Sequence, residues 1–89
     1  MKIEEFETII VEHLNKLGGT IQHTIKPETR GYTVTLSVDK EQYCVSKFYT
    51  PSDVERATVD TLRLQVMHLQ RALCQCVLDR NLGPGVLYV

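Results

Sequence analysis

Most of the features that would announce a function are missing from this chain. No apolar run approaches the ~18 residues of a membrane span, so no membrane role is expected. The opening MKIEEFETII sets Glu4, Glu5 and Glu7 among its apolar residues, which rules out the unbroken apolar core of a signal peptide. An excess of charge of one sign is missing too. Ten basic residues against eleven acidic ones leave a net −1, and no third of the chain forms a basic or acidic tail, so there is no general attraction to nucleic acid or to anionic lipid. Repeats and low-complexity tracts are absent.

Cysteine is scarce and odd in number, at three. Cys74 and Cys76 lie two apart in a helical pattern, so about 200° of rotation separates them and they cannot share one metal ion. Reduced thiols in a cytoplasmic compartment are expected. His13, His23 and His68 fall on three different elements, without the spacing of a metal pair. His23 alternates with Ile21 and Ile25 and is expected at the edge of the core. Cys44 with a histidine base finds no local support, and 89 residues leave little room for a substrate pocket. No enzyme, no cofactor and no metal site are expected.

What is there is a regular alternation of periods. Ile3, Phe6, Ile10, Leu14 and Leu17 recur at intervals of three and four, which predicts a helix over about 2–17 ended by Gly18-Gly19. From Thr20 the period becomes two, predicting strands over about 20–26, 32–38 and 43–49 with turns at 27–31 and 39–42. Pairing the last two strands sets Val38 opposite Tyr43, Leu36 opposite Val45, Val34 opposite Lys47 and Tyr32 opposite Tyr49. Lys47 is the one misfit on that face. Thr50-Pro51-Ser52-Asp53 is a strong helix start, and with no breaker before Asn81 it predicts one helix over about 51–81, roughly 45 Å long. The tail 84–89 is apolar and β-prone. The fold expected is α+β in the order α-β-β-β-α, one domain over 1–89: a three-stranded antiparallel sheet with one face covered by helices, and a short C-terminal strand in the tail.

The double-stranded RNA-binding domains and the HicA-type toxins share that order, and neither matches in its residues. The last helix here opens with TPSDVE, which carries two acids where the RNA binders carry glycine and lysine. Gln22-His23-Thr24 is the nearest approach to the Gly-Ser-His segment of the toxins. No family is assigned on element order alone.

The predicted helix is much longer than the strands, so it is expected to overhang the sheet. Val59, Leu62, Val66, Leu69, Leu73 and Cys76 form one apolar stripe, whose C-terminal half has no evident cover within the chain. Leu64, Met67, Ala72 and Leu78 lie off that stripe. Leu64, Met67, Leu69, Leu73, Cys76 and Leu78, with Val86, Leu87 and Tyr88 of the tail, are therefore the expected oligomer or partner interface, and Leu73→Asp is expected to abolish assembly. The tail docks on its own domain or adds as a strand to a neighbour. Arg56, Arg63 and Arg71 form a candidate anion site, weighed against exposed ion pairs of Arg56 and Arg63 with Asp60. The outer sheet face carries Gln22, Thr24, Thr33, Thr35, Ser37, Cys44, Ser46 and Phe48, a solvated side or a binding platform.

These features favour a small non-catalytic regulator, inhibitor or adaptor with an unidentified protein partner, such as phages and mobile elements encode, working as a homo-oligomer through its long helix and tail. The alternative is a nucleotide or nucleic-acid binder that uses Arg56, Arg63 and the hydroxyl-rich face, with its site between protomers.

Overall fold

The computed structural model describes residues 1–16, 21–38 and 43–78, and the backbone of 85–88. In chain order its elements are α1 (Ile3–Asn15), β1 (Gln22–Glu28), β2 (Gly31–Val38), β3 (Tyr43–Tyr49), α2 (Pro51–Arg56), α3 (Val59–Leu78) and β4 (Gly85–Tyr88). The architecture is α+β. Strands β1, β2 and β3 pair antiparallel, and β4 adds parallel to β3 as a fourth strand, giving the order β1-β2-β3-β4. The apolar tail thus pairs within its own chain. Parallel neighbours need a long crossover between them, and α2 with α3 supplies it. The predicted helix end at Leu17 to Gly19, the start of the first strand at Thr20, the turn 39–42 and the helix end at 79–81 lie outside the described residues.

The β2–β3 register follows from the alternation of period two: Val38 faces Tyr43, Leu36 faces Val45, Val34 faces Lys47 and Tyr32 faces Tyr49. On the helix-covered side Val34, Leu36 and Val45 are fully buried. From α1 come Phe6, Ile10 and Leu14, the three- and four-spaced residues of its inner face. Phe6 meets the Tyr49 ring edge-on, with centroids 5.1 Å apart. The ammonium of Met1 donates to the Glu55 carbonyl at 2.8 Å, while His13 at the other end of α1 shares a cavity with Cys74 and Leu78. Helices α1 and α3 therefore lie side by side, running the same way over one face of the sheet.

The single helix expected over 51–81 is broken. Thr50 caps α2 in a capping box, its hydroxyl accepting from the Asp53 amide at 3.1 Å and its own amide donating to Asp53 Oδ2 at 3.0 Å. Then α2 stops, because Ala57 turns extended with ψ 138°. Thr58 and Thr61 repeat the device for α3: the Thr58 amide donates to Thr61 Oγ1 at 3.0 Å, and the Thr61 amide donates to Thr58 Oγ1 at 3.2 Å. The first helical bond of α3, Leu62 N–H to the Thr58 carbonyl, is 2.9 Å. A hydroxyl that caps, in a stretch rich in β-branched Thr58, Val59 and Thr61, makes a restart cheaper than continuation.

The break alters the length argument. Helix α3 has 20 residues, or about 30 Å, against about 25 Å for the strands, so the large overhang expected from a 45 Å helix does not arise. Its inward stripe is covered within the chain, with Leu62, Val66, Leu69, Leu73 and Cys76 all buried. Val59, expected to begin that stripe, is 41% exposed, since it sits in the first turn after the break.

Candidate functional site

The structure divides the expected interface in two. Leu69, Leu73 and Cys76 belong to the core, at 2%, 1% and 8% exposure, packed with α1 and the sheet. They cannot form a surface, and Leu73→Asp would unfold the chain rather than dissociate it. Val86, Leu87 and Tyr88 form most of β4, with Cα partners Cys44, Val45 and Ser46 on β3; their side chains lie outside the described residues. Leu64, Met67 and Leu78 do stand in the open, at 53%, 40% and 77%. Ala72, grouped with them by sequence, packs against the core.

The open residues are part of a second stripe. Leu64, Met67, Arg71, Cys74 and Leu78 follow a 3-4-3-4 rhythm of their own, and at 100° per residue their mean direction lies about 160° from that of the buried stripe. Helix α3 is thus apolar along two opposite sides. The sequence already set Leu64, Met67 and Leu78 off the inward stripe; Arg71 and Cys74 complete the second one, and Ala72 does not belong to it. Beside this stripe lies a groove of about 560 Å³ whose walls include Met67, Arg71, Cys74 and Leu78 of α3 and His13 of α1. His13 was not foreseen here. Its Nε2 is enclosed with no hydrogen-bond partner among the described residues, an arrangement that costs stability unless something supplies a partner. No carboxylate lines the groove among the described residues.

Arg56, Arg63 and Arg71 do not converge. Arg71 belongs to the groove just described, and Arg56 lines a separate cavity of about 350 Å³ at the α2–α3 break, with Lys47, Tyr49 and Asp53. Arg63 is exposed and lines neither. Neither pair with Asp60 is made: the break at 57–58 puts Arg56 and Asp60 on different helices, and Arg63, on the same helix as Asp60, does not come within 4.0 Å of its carboxylate. Among the described residues the ion pair found is His23 Nε2 to Glu7 Oε1 at 3.8 Å, which places His23 at the core's edge beside α1. At the break, the Asp53 carboxyl is held below its ordinary range chiefly by the Thr50 amide, then the Thr50 hydroxyl, with Lys47 and Arg56 adding their charges. Burial, followed by the Asp53 charge, pushes the Tyr49 hydroxyl up to about 12.

The outer sheet face is less open than a binding platform would be. Ser37 and Ser46 are buried at 5% and 3%, and Cys44 at 9%. Thr35 and Ser46, directly opposite each other, join their hydroxyls at 2.7 Å. What remains exposed is Gln22, Thr24 and Phe48. No group of three His, Cys, Asp or Glu side chains able to hold a metal occurs among the described residues, and no described helix is long and apolar enough to cross a membrane. Compared with family models, with curated proteins and with solved structures, the chain matches none.

Proposed function

We propose that this protein is a non-catalytic binding protein that works as a homodimer, the outer stripe of α3 from one copy lying antiparallel against the same stripe of a second. The observation that carries this reading is the second 3-4-3-4 stripe, with Leu64, Met67 and Leu78 exposed on a helix already buried along its other side. Removing a Leu or Met side chain from water stabilises by roughly 1.5–3 kcal/mol, and a two-fold axis uses each residue twice.

Charge favours an antiparallel arrangement of two copies. In such a seam the stripe positions interdigitate, so Met67 of one copy meets Leu78 of the other, and Arg71 meets Cys74. Arg71 is then never set against its own counterpart. The groove beside the stripe, with the enclosed His13 nitrogen in its wall, lies in the same interface.

The role in the cell follows from the same economy. We assign the dimer the role of a stoichiometric regulator or inhibitor that acts by occupying another protein. The test is solution mass under reducing conditions for the natural chain and for Met67→Glu, with the melting temperature of each recorded. A two-chain mass lost in a variant that still melts cooperatively, and whose melting temperature no longer rises with concentration, supports the dimer; a natural chain of one-chain mass at high concentration overturns it.

A further inference from the structure

Lys47 is the one lysine or arginine at a core-facing position of the described strands. It lies opposite Val34, half-buried, where the alternation calls for an apolar residue. Its ammonium is 5.8 Å from the centre of the Tyr49 ring, and no hydrogen bond or ion pair within 4.0 Å holds it among the described residues. Its charge acts on the Asp53 carboxylate without direct contact, which leaves the ammonium's hydrogen bonds unmade among the described residues.

Two adjoining cavities meet at this lysine. The one of about 350 Å³ at the α2–α3 break includes Arg56 and Gln65 in its lining. The other, about 240 Å³, runs along α3 past Gln65 to His68. Lys47 and Gln65 line both. Like Lys47, the side chains of Arg56, Gln65 and His68 have no hydrogen bond or ion pair among the described residues. The carboxylate present, Asp53, is engaged by the Thr50 amide. Tyr49, whose hydroxyl carries its proton at neutral pH as any tyrosine does, also lines the larger cavity.

We infer that the paired cavity is a binding site for a small oxyanion-bearing molecule, whose phosphate or carboxylate group lies between Lys47 and Arg56 and whose body extends along Gln65 toward His68. Two cationic side chains that act on Asp53 through charge but make no direct contact with it keep their hydrogen-bond donors for such a group, and the larger cavity falls at the lower end of ligand-pocket sizes, about 300–1,000 Å³. This site is separate from the outer stripe of α3 and stands independently of dimerisation. It also gives the helix break a use, since Ala57 at the break lines the recess between Arg56 of α2 and Thr61 of α3.

The test is a titration of the full chain with inorganic phosphate and with acetate, followed by nuclear magnetic resonance at low ionic strength. It is repeated for Lys47→Met and Arg56→Gln. Saturable shifts confined to the α2–α3 break, weakened about tenfold in each variant and reduced by added salt, are expected. Phosphate binding about tenfold tighter than acetate identifies a phosphorylated ligand, and parity identifies a carboxylate. The variants are expected to stay folded, because methionine suits the core-facing position and Arg56 is exposed. Undetectable binding of both anions at about 20 mM, or binding unchanged in both variants, overturns the site.

Discussion

Tyr49 shows how one buried residue ties the elements together: Phe6 of α1 packs edge-on against its ring, and Lys47 lies over the ring at 5.8 Å. Its raised pKa has a stability consequence of definite sign. Between the ordinary tyrosine value near 10 and about 12, the unfolded chain has lost the proton and the folded chain keeps it, so the fold is destabilised as pH rises through that window. Two units correspond to roughly 2–3 kcal/mol. Urea melts at pH 9 and pH 12 on the natural chain and Tyr49→Phe should show that extra loss in the natural chain alone. An equal loss in both would contradict it. Gly31 makes a second prediction at this scale. Its φ is +156°, and a Cβ there would overlap the Tyr49 carbonyl oxygen and press on Thr50 Cα. Because those neighbours are backbone, Gly31→Ala should cost on the order of 2 kcal/mol or more in the same urea assay.

The elements differ in how far they were legible from sequence. Strands β2 and β3 were read in the correct register because one side of each alternates strictly and a one-residue slip would turn Val34, Leu36 and Val45 to the wrong face. The inward residues of α1 and α3 were likewise visible, since spacing alone selects Phe6, Ile10, Leu14 and Leu62 through Cys76. The helix break was not visible as a break. It rests on a reciprocal Thr58–Thr61 cap, and threonine at that spacing is a weaker signature than Thr50-Pro51-Ser52-Asp53, which was read as a helix start and caps α2 through Thr50 and Asp53. Thr58→Ala should therefore lower stability by about 1 kcal/mol, measured by thermal melting. An unchanged melting temperature would mean that packing of Val54, buried at 4%, sets the break instead. The pairing of β4 was left open by the sequence, since Gly-Pro-Gly permits either direction and only the crossover through α2 and α3 returns the chain beside β3.

At the scale of the whole molecule, the candidate surfaces were legible only in part. Composition located the apolar excess on the last helix, but which residues it freed depended on where α1 lies. Leu69, Leu73 and Cys76 went to the core, while Leu64, Met67 and Leu78 stayed outside. His13, enclosed beside them, could not be assigned without knowing that α1 and α3 run side by side. Of the arginines read as one cluster, Arg56 is parted from Arg63 and Arg71 by the same break beside which it shares a recess with Lys47. A helix with two apolar faces, one inward and one outward, is the feature from which the proposed dimer is built. Its most direct test is light scattering under reducing conditions at about 100 μM for the natural chain, Met67→Glu and Leu73→Asp. The dimer account predicts a two-chain mass for the natural protein, a folded one-chain mass for Met67→Glu and an unfolded chain for Leu73→Asp. A natural chain of one-chain mass, or a Met67→Glu chain that remains paired, would contradict it.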